Sequence, residues 1–119
     1  MAKQPIGRLE AIVIDVTDID RASAFWSALM GQDFGASFEP NFRRAKLPIG
    51  VDLVLQEVPE LKAGKNRVHL DIDVTNLSAS LERVLAIGDR PVQRVDNTNG
   101  DPLVVCADPD GNEFCLTTG

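Results

Sequence analysis

AIVIDVTDIDRASAFWSALMG, residues 11–31, returns in altered form as HLDIDVTNLSASLERVLAIG, residues 69–88. The tetrapeptide IDVT is identical in both copies, at 14–17 and 72–75; Asp15 to Asp73 is 58 residues and Gly31 to Gly88 is 57. A repeat at this period marks a duplicated structural unit. Each copy opens on a Val/Ile-rich run that suits a strand. Helix-capping residues follow, Asp18 and Asp20 in one copy and Asn76 and Ser78 in the other. Apolar positions then recur at helical spacing: Ile19, Ala22, Trp26 and Leu29, and later Leu77, Leu81, Val84 and Leu85. Gly31 and Gly88 stand where a helix commonly ends on a left-handed residue.

Three more strand candidates follow each glycine. They are Phe34–Phe38, Phe42–Leu47 and Val51–Glu57 in the first half, and Val92–Val95, Leu103–Ala107 and Glu113–Thr117 in the second. Each half therefore reads βαβββ, with module one over 7–57, a linker over 58–66 and module two over 67–119, all in a single domain spanning 1–119. VPELKAGKNR, with Pro59, Gly64 and the basic run Lys62, Lys65 and Arg67, has the composition of a solvated linker. In DPDGN, Pro109 suits the second position of a tight turn and Gly111 a positive φ. One half is too small to bury both faces of its sheet, so the halves should pack together. The expected architecture is α+β: one curved, mainly antiparallel sheet around a cavity, with helices outside.

Strand alternation sorts the side chains into two faces. Ile12, Ile14 and Val16, Leu53 and Leu55, Leu70, Ile72 and Val74, and Phe114 and Leu116 belong to the helix side. Ala11, Val13, Asp15, Gln56, His69, Asp71, Asp73, Glu113 and Cys115 then face the cavity. That face holds the chain's only histidine. Asp15, Asp71, Asp73 and Gln56 are candidate ligand-binding residues for a cationic or hydroxylated molecule, and close carboxylates would raise one another's pKa. The alternative is structural: hydrogen bonds to backbone, or pairing with Arg43, Arg44 or Arg67. Phe25 and Trp26 read as core, and Phe34, Phe38 and Phe42 are the few aromatics left for stacking.

Composition bounds the function. The formal net charge of −6 argues against nucleic acid or an anionic membrane as partner and is tolerant of a cationic small molecule. No run approaches the roughly 20 apolar residues of a membrane span, and MAKQPIGRLE lacks a signal-peptide layout, so a cytoplasmic location is expected. Cys106 and Cys115 have no metal-ligand spacing and read as reduced core residues.

VTDIDRASAFWSALMG, KNRVHLDIDV and DPDGNEFCL, set across paired βαβββ modules, resemble the vicinal oxygen chelate superfamily, the glyoxalase/bleomycin-resistance/dioxygenase group, and within it the glyoxalase-like domain subgroup. The resemblance implies a homodimer, with modules able to swap between chains, and a divalent metal such as Ni, Zn, Mn or Fe. Of the four ligand positions, His69 and Glu113 match two, Gln56 lies at or beside a third, and the fourth falls on Ala11, which has no donor atom. A two-histidine, one-carboxylate iron site cannot be built from one histidine. The implied activity is that of a lyase or isomerase acting on a small oxygenated metabolite, with His69 and Glu113 catalytic and the metal polarising a substrate oxygen. Two other classes stay open: sequestration of a small molecule, as in bleomycin-resistance proteins, and metal-free acid/base catalysis by His69 or an inward aspartate.

Overall fold

The structure, a computed structural model, describes residues 4–36, 39–88, 90–96 and 102–118. The first module runs β1 (Ala11–Val16), α1 (Ile19–Met30), β2 (Gly35–Ala36), β3 (Phe42–Lys46) and β4 (Asp52–Glu57). The second runs β5 (Leu70–Asp73), α2 (Leu77–Ala86), β6 (Arg90–Asp96), β7 (Pro102–Ala107) and β8 (Glu113–Thr117). The expected element order holds throughout. Strand β2 is shorter than the expected Phe34–Phe38, whose last two residues lie outside the described residues.

The capping residues act as their chemistry requires. Asp18 accepts the amide of Arg21 at 3.0 Å, and its counterpart Asn76 accepts that of Ala79 at 2.9 Å, each relieving an orphan donor of a first helical turn. Glu57, at the end of β4, accepts the amide of Ile19 at 3.0 Å, so the sheet also caps α1. Helix α1 stops at Gly31, with φ of 63°, whose amide donates to the Ser27 carbonyl.

The strands pair as β1-β4-β3-β2 and β5-β8-β7-β6. In each quartet the first strand lies parallel to the fourth and the remaining pairs are antiparallel. The expected single curved sheet is thus resolved into two mixed four-stranded sheets, because among the described residues β1 and β5 are both edge strands and do not share a ladder.

One core joins the modules. Leu53 and Leu55 of β4, Val104 and Cys106 of β7, and Phe114 and Leu116 of β8 are buried with Ala22, Phe25 and Trp26 of α1 and Val84 of α2. The Trp26 ring lies 5.5 Å from that of Phe114 and Phe25 lies 6.0 Å from it, so a first-module helix packs on a second-module strand. Cys106 and Cys115 are free and buried, as expected.

A polar clasp completes the junction. Asp108 is 1% exposed, the one buried charged residue among those described. One carboxylate oxygen accepts the Trp26 indole N–H at 3.0 Å and the Asn112 amide at 3.1 Å; the other accepts the backbone N–H groups of Asp110 and Asn112 at 2.9 and 2.8 Å. Burial pushes this carboxyl up from its usual value, and the bonds from Asn112 and Trp26 offset part of that push. The DPDGN turn forms as expected, with the Gly111 amide on the Asp108 carbonyl at 2.9 Å and Gly111 at φ of 87°. Replacing Asp108 by Ala strips acceptors from four donors, and the expected loss is about 3 kcal/mol of unfolding free energy. Urea unfolding followed by emission of the single tryptophan measures it, and an unchanged midpoint would show that the clasp does not stabilise the fold.

Candidate functional site

Register fixes what shares the open face of each sheet. In the first, Asp15 pairs with Gln56 and Gln56 with Phe42, while Val13 pairs with Val54 and Val54 with Arg44. In the second, Asp71 pairs with Cys115 and Cys115 with Val105, and Glu113 pairs with Ala107. Leu70 pairs with Phe114, so His69 and Glu113 are the residues that precede the first pair of this parallel ladder.

A cavity of about 260 Å³ lies between β1 and the start of β5 and β8. Because β1 is an edge strand, the cavity meets both of its faces, Ile12 and Ile14 as well as Val13 and Asp15. Trp26, Val68 and Leu70 extend the apolar wall; Asn66, Asn112, Asp15 and Glu113 supply the polar groups. No lysine or arginine lines it. Two carboxylates from different modules thus share a largely apolar space, and any cation there would find both.

Of the expected site residues, Asp15 and Glu113 meet in this cavity, whereas Gln56, His69, Asp71 and Asp73 do not line it. Gln56 stays next to Asp15 on β4, His69 is exposed, and Asp71 lies on the open face beside Cys115. Asp73, the duplicate of Asp15, borders a separate cavity with Ser80, Arg83 and Val84 of α2. Two of the three expected arginine partners are engaged elsewhere: Arg43 with Asp20 at 3.6 Å and Arg44 with Asp52 at 3.0 Å.

Burial, then the neighbouring charges of Asp71 and Glu113 and a hydrogen bond with Asp71, push the Cys115 thiol up. This side chain is therefore a protonated wall of the face rather than a nucleophile.

The residues do not fit a divalent ion within one chain. Ala11 offers no donor, and Gln56 and His69 both lie outside the cavity that Glu113 lines. Among the described residues, no three His, Cys, Asp or Glu side chains converge as a metal-binding group.

Sequence reasoning missed Asn66, Asn112 and Asp110. Asp110 receives the Thr17 amide at 2.8 Å, the Thr17 hydroxyl, and Arg21 at 3.4 Å on one oxygen. Asn112 donates to the Asp15 carbonyl at 3.0 Å, fastening the turn to β1. The signal was present in DPDGN, where three side-chain acceptors exceed what a simple turn requires.

Duplicated βαβββ modules that enclose a cavity at their junction define a protein of the vicinal oxygen chelate type. The sequence profile of the glyoxalase-like domain matches residues 11–117, and the chain belongs to that family. A fosfomycin resistance protein, FosX, from Listeria monocytogenes is similar in structure, with a TM-score of 0.78 and 19% identity over 97% of this chain and 95% of that one. Lactoylglutathione lyase from Agrobacterium tumefaciens gives a TM-score of 0.70 and 18% identity over 98% and 96%. A glyoxalase/bleomycin resistance protein from Catenulispora acidiphila gives 0.68 and 23% over 94% and 99%. At these identities the likeness establishes the fold. Comparison with curated protein sequences gives no match. Among the described residues, no helix is long and apolar enough to cross a membrane.

Alkylation tests the electrostatics of the open face. The pH–rate midpoint of Cys115 should lie above that of a free thiol, and Asp71→Asn should lower it by removing a charge that opposes the thiolate. Mass-resolved iodoacetamide labelling measures both midpoints; an unmoved midpoint would mean that Asp71 does not act on the thiol.

Proposed function

We propose that this glyoxalase-like protein binds a small cationic organic molecule in the cavity between its modules and needs no resident metal to do so. The observation that carries the reading is the lining: two carboxylates, Asp15 and Glu113, on an otherwise apolar and amide wall with no basic side chain. Asp15 and Glu113 have no basic side chain beside them in the lining, and an organic cation supplies that counter-charge while its hydrocarbon covers Ile12, Val68 and Leu70. A volume of about 260 Å³ suits a metabolite smaller than most drugs. The formal charge of −6 attracts cations at long range. A glyoxalase/bleomycin resistance protein and a fosfomycin resistance protein are among the structural neighbours.

A catalytic reading draws on one specific feature, the position of His69 and Glu113 just before the first pair of the β5/β8 ladder. There they would act as an acid/base pair in lyase or isomerase chemistry, and a lactoylglutathione lyase is among the neighbours. A homodimer, with modules exchanged between chains, would bring a second open face towards this pair.

Calorimetric titration with benzyltrimethylammonium, its neutral isostere neopentylbenzene-type hydrocarbon and phenylacetate separates the readings. The cation should bind one per cavity and the carboxylate not at all. Glu113→Gln should weaken the cation by about tenfold, as expected for loss of one close charge pair, and EDTA should change nothing. Binding that disappears with EDTA and returns with added metal would overturn the metal-free reading.

A further inference from the structure

The separate cavity that Asp73 borders has a volume of about 240 Å³ and no described lining residue in common with the first. Leu29 of α1, Ile72 of β5, and Val84 and Ile87 of α2 give it an apolar lining, while Ser80 and Arg83 of α2 are polar. The duplication explains the space. Counted from the N-caps Asp18 and Asn76, which lie 58 residues apart, Ala22 and Phe25 of α1 correspond to Ser80 and Arg83 of α2. In α1 both are core residues, 0% and 2% exposed, and the Phe25 ring packs against those of Trp26 and Phe114. In α2 the matching positions carry a hydroxyl and an exposed guanidinium, and the helix has no aromatic ring to fill the space. The rest of the face stays apolar, since Trp26 and Leu29 correspond to Val84 and Ile87. Among the described residues Arg83 makes no ion pair, and Asp73 is already engaged with another group. Polar residues that interrupt a core face without a structural partner are expected at functional sites.

We infer that this cleft between the helices binds a small monocarboxylate with a hydrocarbon tail. A guanidinium presents paired N–H donors that match the two oxygens of a carboxylate. Ser80, three residues before Arg83, shares its face of the helix and adds a hydroxyl donor. The tail covers Leu29, Ile72 and Ile87, each only partly buried, in the place that an aromatic side chain fills in the other module. A second negative charge on the ligand would meet Asp73, which favours a monocarboxylate over a dianion. The volume suits a short chain rather than a drug-sized molecule. This site takes a ligand of opposite charge to the one proposed for the junction cavity, and it does not depend on that proposal.

Titrating the full-length, isotope-labelled protein with hexanoate, 1-hexanol and hexylammonium tests this, read at the backbone amides of Ser80, Arg83 and Ile87. Hexanoate should shift these signals saturably, about tenfold more tightly than either other probe, and leave those of Val13 and Glu113 in place. Arg83→Gln should remove the preference without lowering the melting temperature, because the side chain is exposed. Should that variant fail to fold, Arg83→Lys provides the comparison: it keeps the charge, loses the paired donors and should weaken hexanoate. Equal responses to hexanoate and 1-hexanol would show that the cleft reads apolar surface alone and would overturn the inference. A hexanoate preference that survives in Arg83→Gln would overturn it too, as would the absence of any saturable shift on α2. Shifts confined to Val13 and Glu113 would assign the carboxylate to the junction cavity and sink both the cleft site and the preference for cations there.

Discussion

The buried carboxylate of Asp108 is the constraint on which the junction depends. A charge removed from water needs several donors at once, and here they come from both modules: the Trp26 indole of α1, and the amide and backbone groups of the turn between β7 and β8. Satisfying that one group sets the angle at which α1 meets β8 and brings the Trp26 ring to 5.5 Å from Phe114. It also places Asp110 and Asn112 against Thr17 and the Asp15 carbonyl, so the end of β1 is tied to the same turn. Apolar burial alone would tolerate sliding between the modules; directional bonds at the rim of the core do not.

The duplication therefore yields two similar modules but an asymmetric molecule. Asp15 and Asp73 occupy equivalent strand positions, yet only Asp15 reaches the cavity at the junction, while Asp73 borders α2. The difference lies in what surrounds them. The turn that carries Asp108, Asp110 and Asn112 belongs to the second module and folds onto the first, and in the sequence the loop between β3 and β4, LPIGV, has no carboxylate to return the contact. A repeat that keeps its strands but varies its hairpins acquires one specialised seam in this way.

Much of the fold was legible because it follows from local chemistry. The caps Asp18 and Asn76, the terminating Gly31, the turn at Pro109 and Gly111 and the alternation of Leu53 and Leu55 with Val54 and Gln56 all depend on neighbours close in sequence. The site was legible only in part. Alternation assigns a side chain to a face but does not say which strand edge lies opposite it, and the cavity is built on an edge. Asp15 and Glu113 were identified, but their meeting depends on a turn 93 residues from Thr17, a separation over which periodicity carries no information. Asp108 had one indirect signal, a tryptophan in the apolar stripe of α1 whose N–H needs an acceptor once buried. Asn66 had none, because a linker amide looks solvated until its partners are known.

These placements bear directly on the choice between a metal and an organic cation. A metal ion requires donors that converge within a few ångströms, and among the described residues no three His, Cys, Asp or Glu side chains do so. An organic cation requires less convergence: its charge is spread over a larger radius, and its hydrocarbon gains from the apolar wall. Ile12, Val13 and Ile14 give the cavity an apolar border along β1, and Asp15 and Glu113 supply its two carboxylates. The organic cation proposed for this cavity therefore asks less geometric convergence of the chain than a metal ion would.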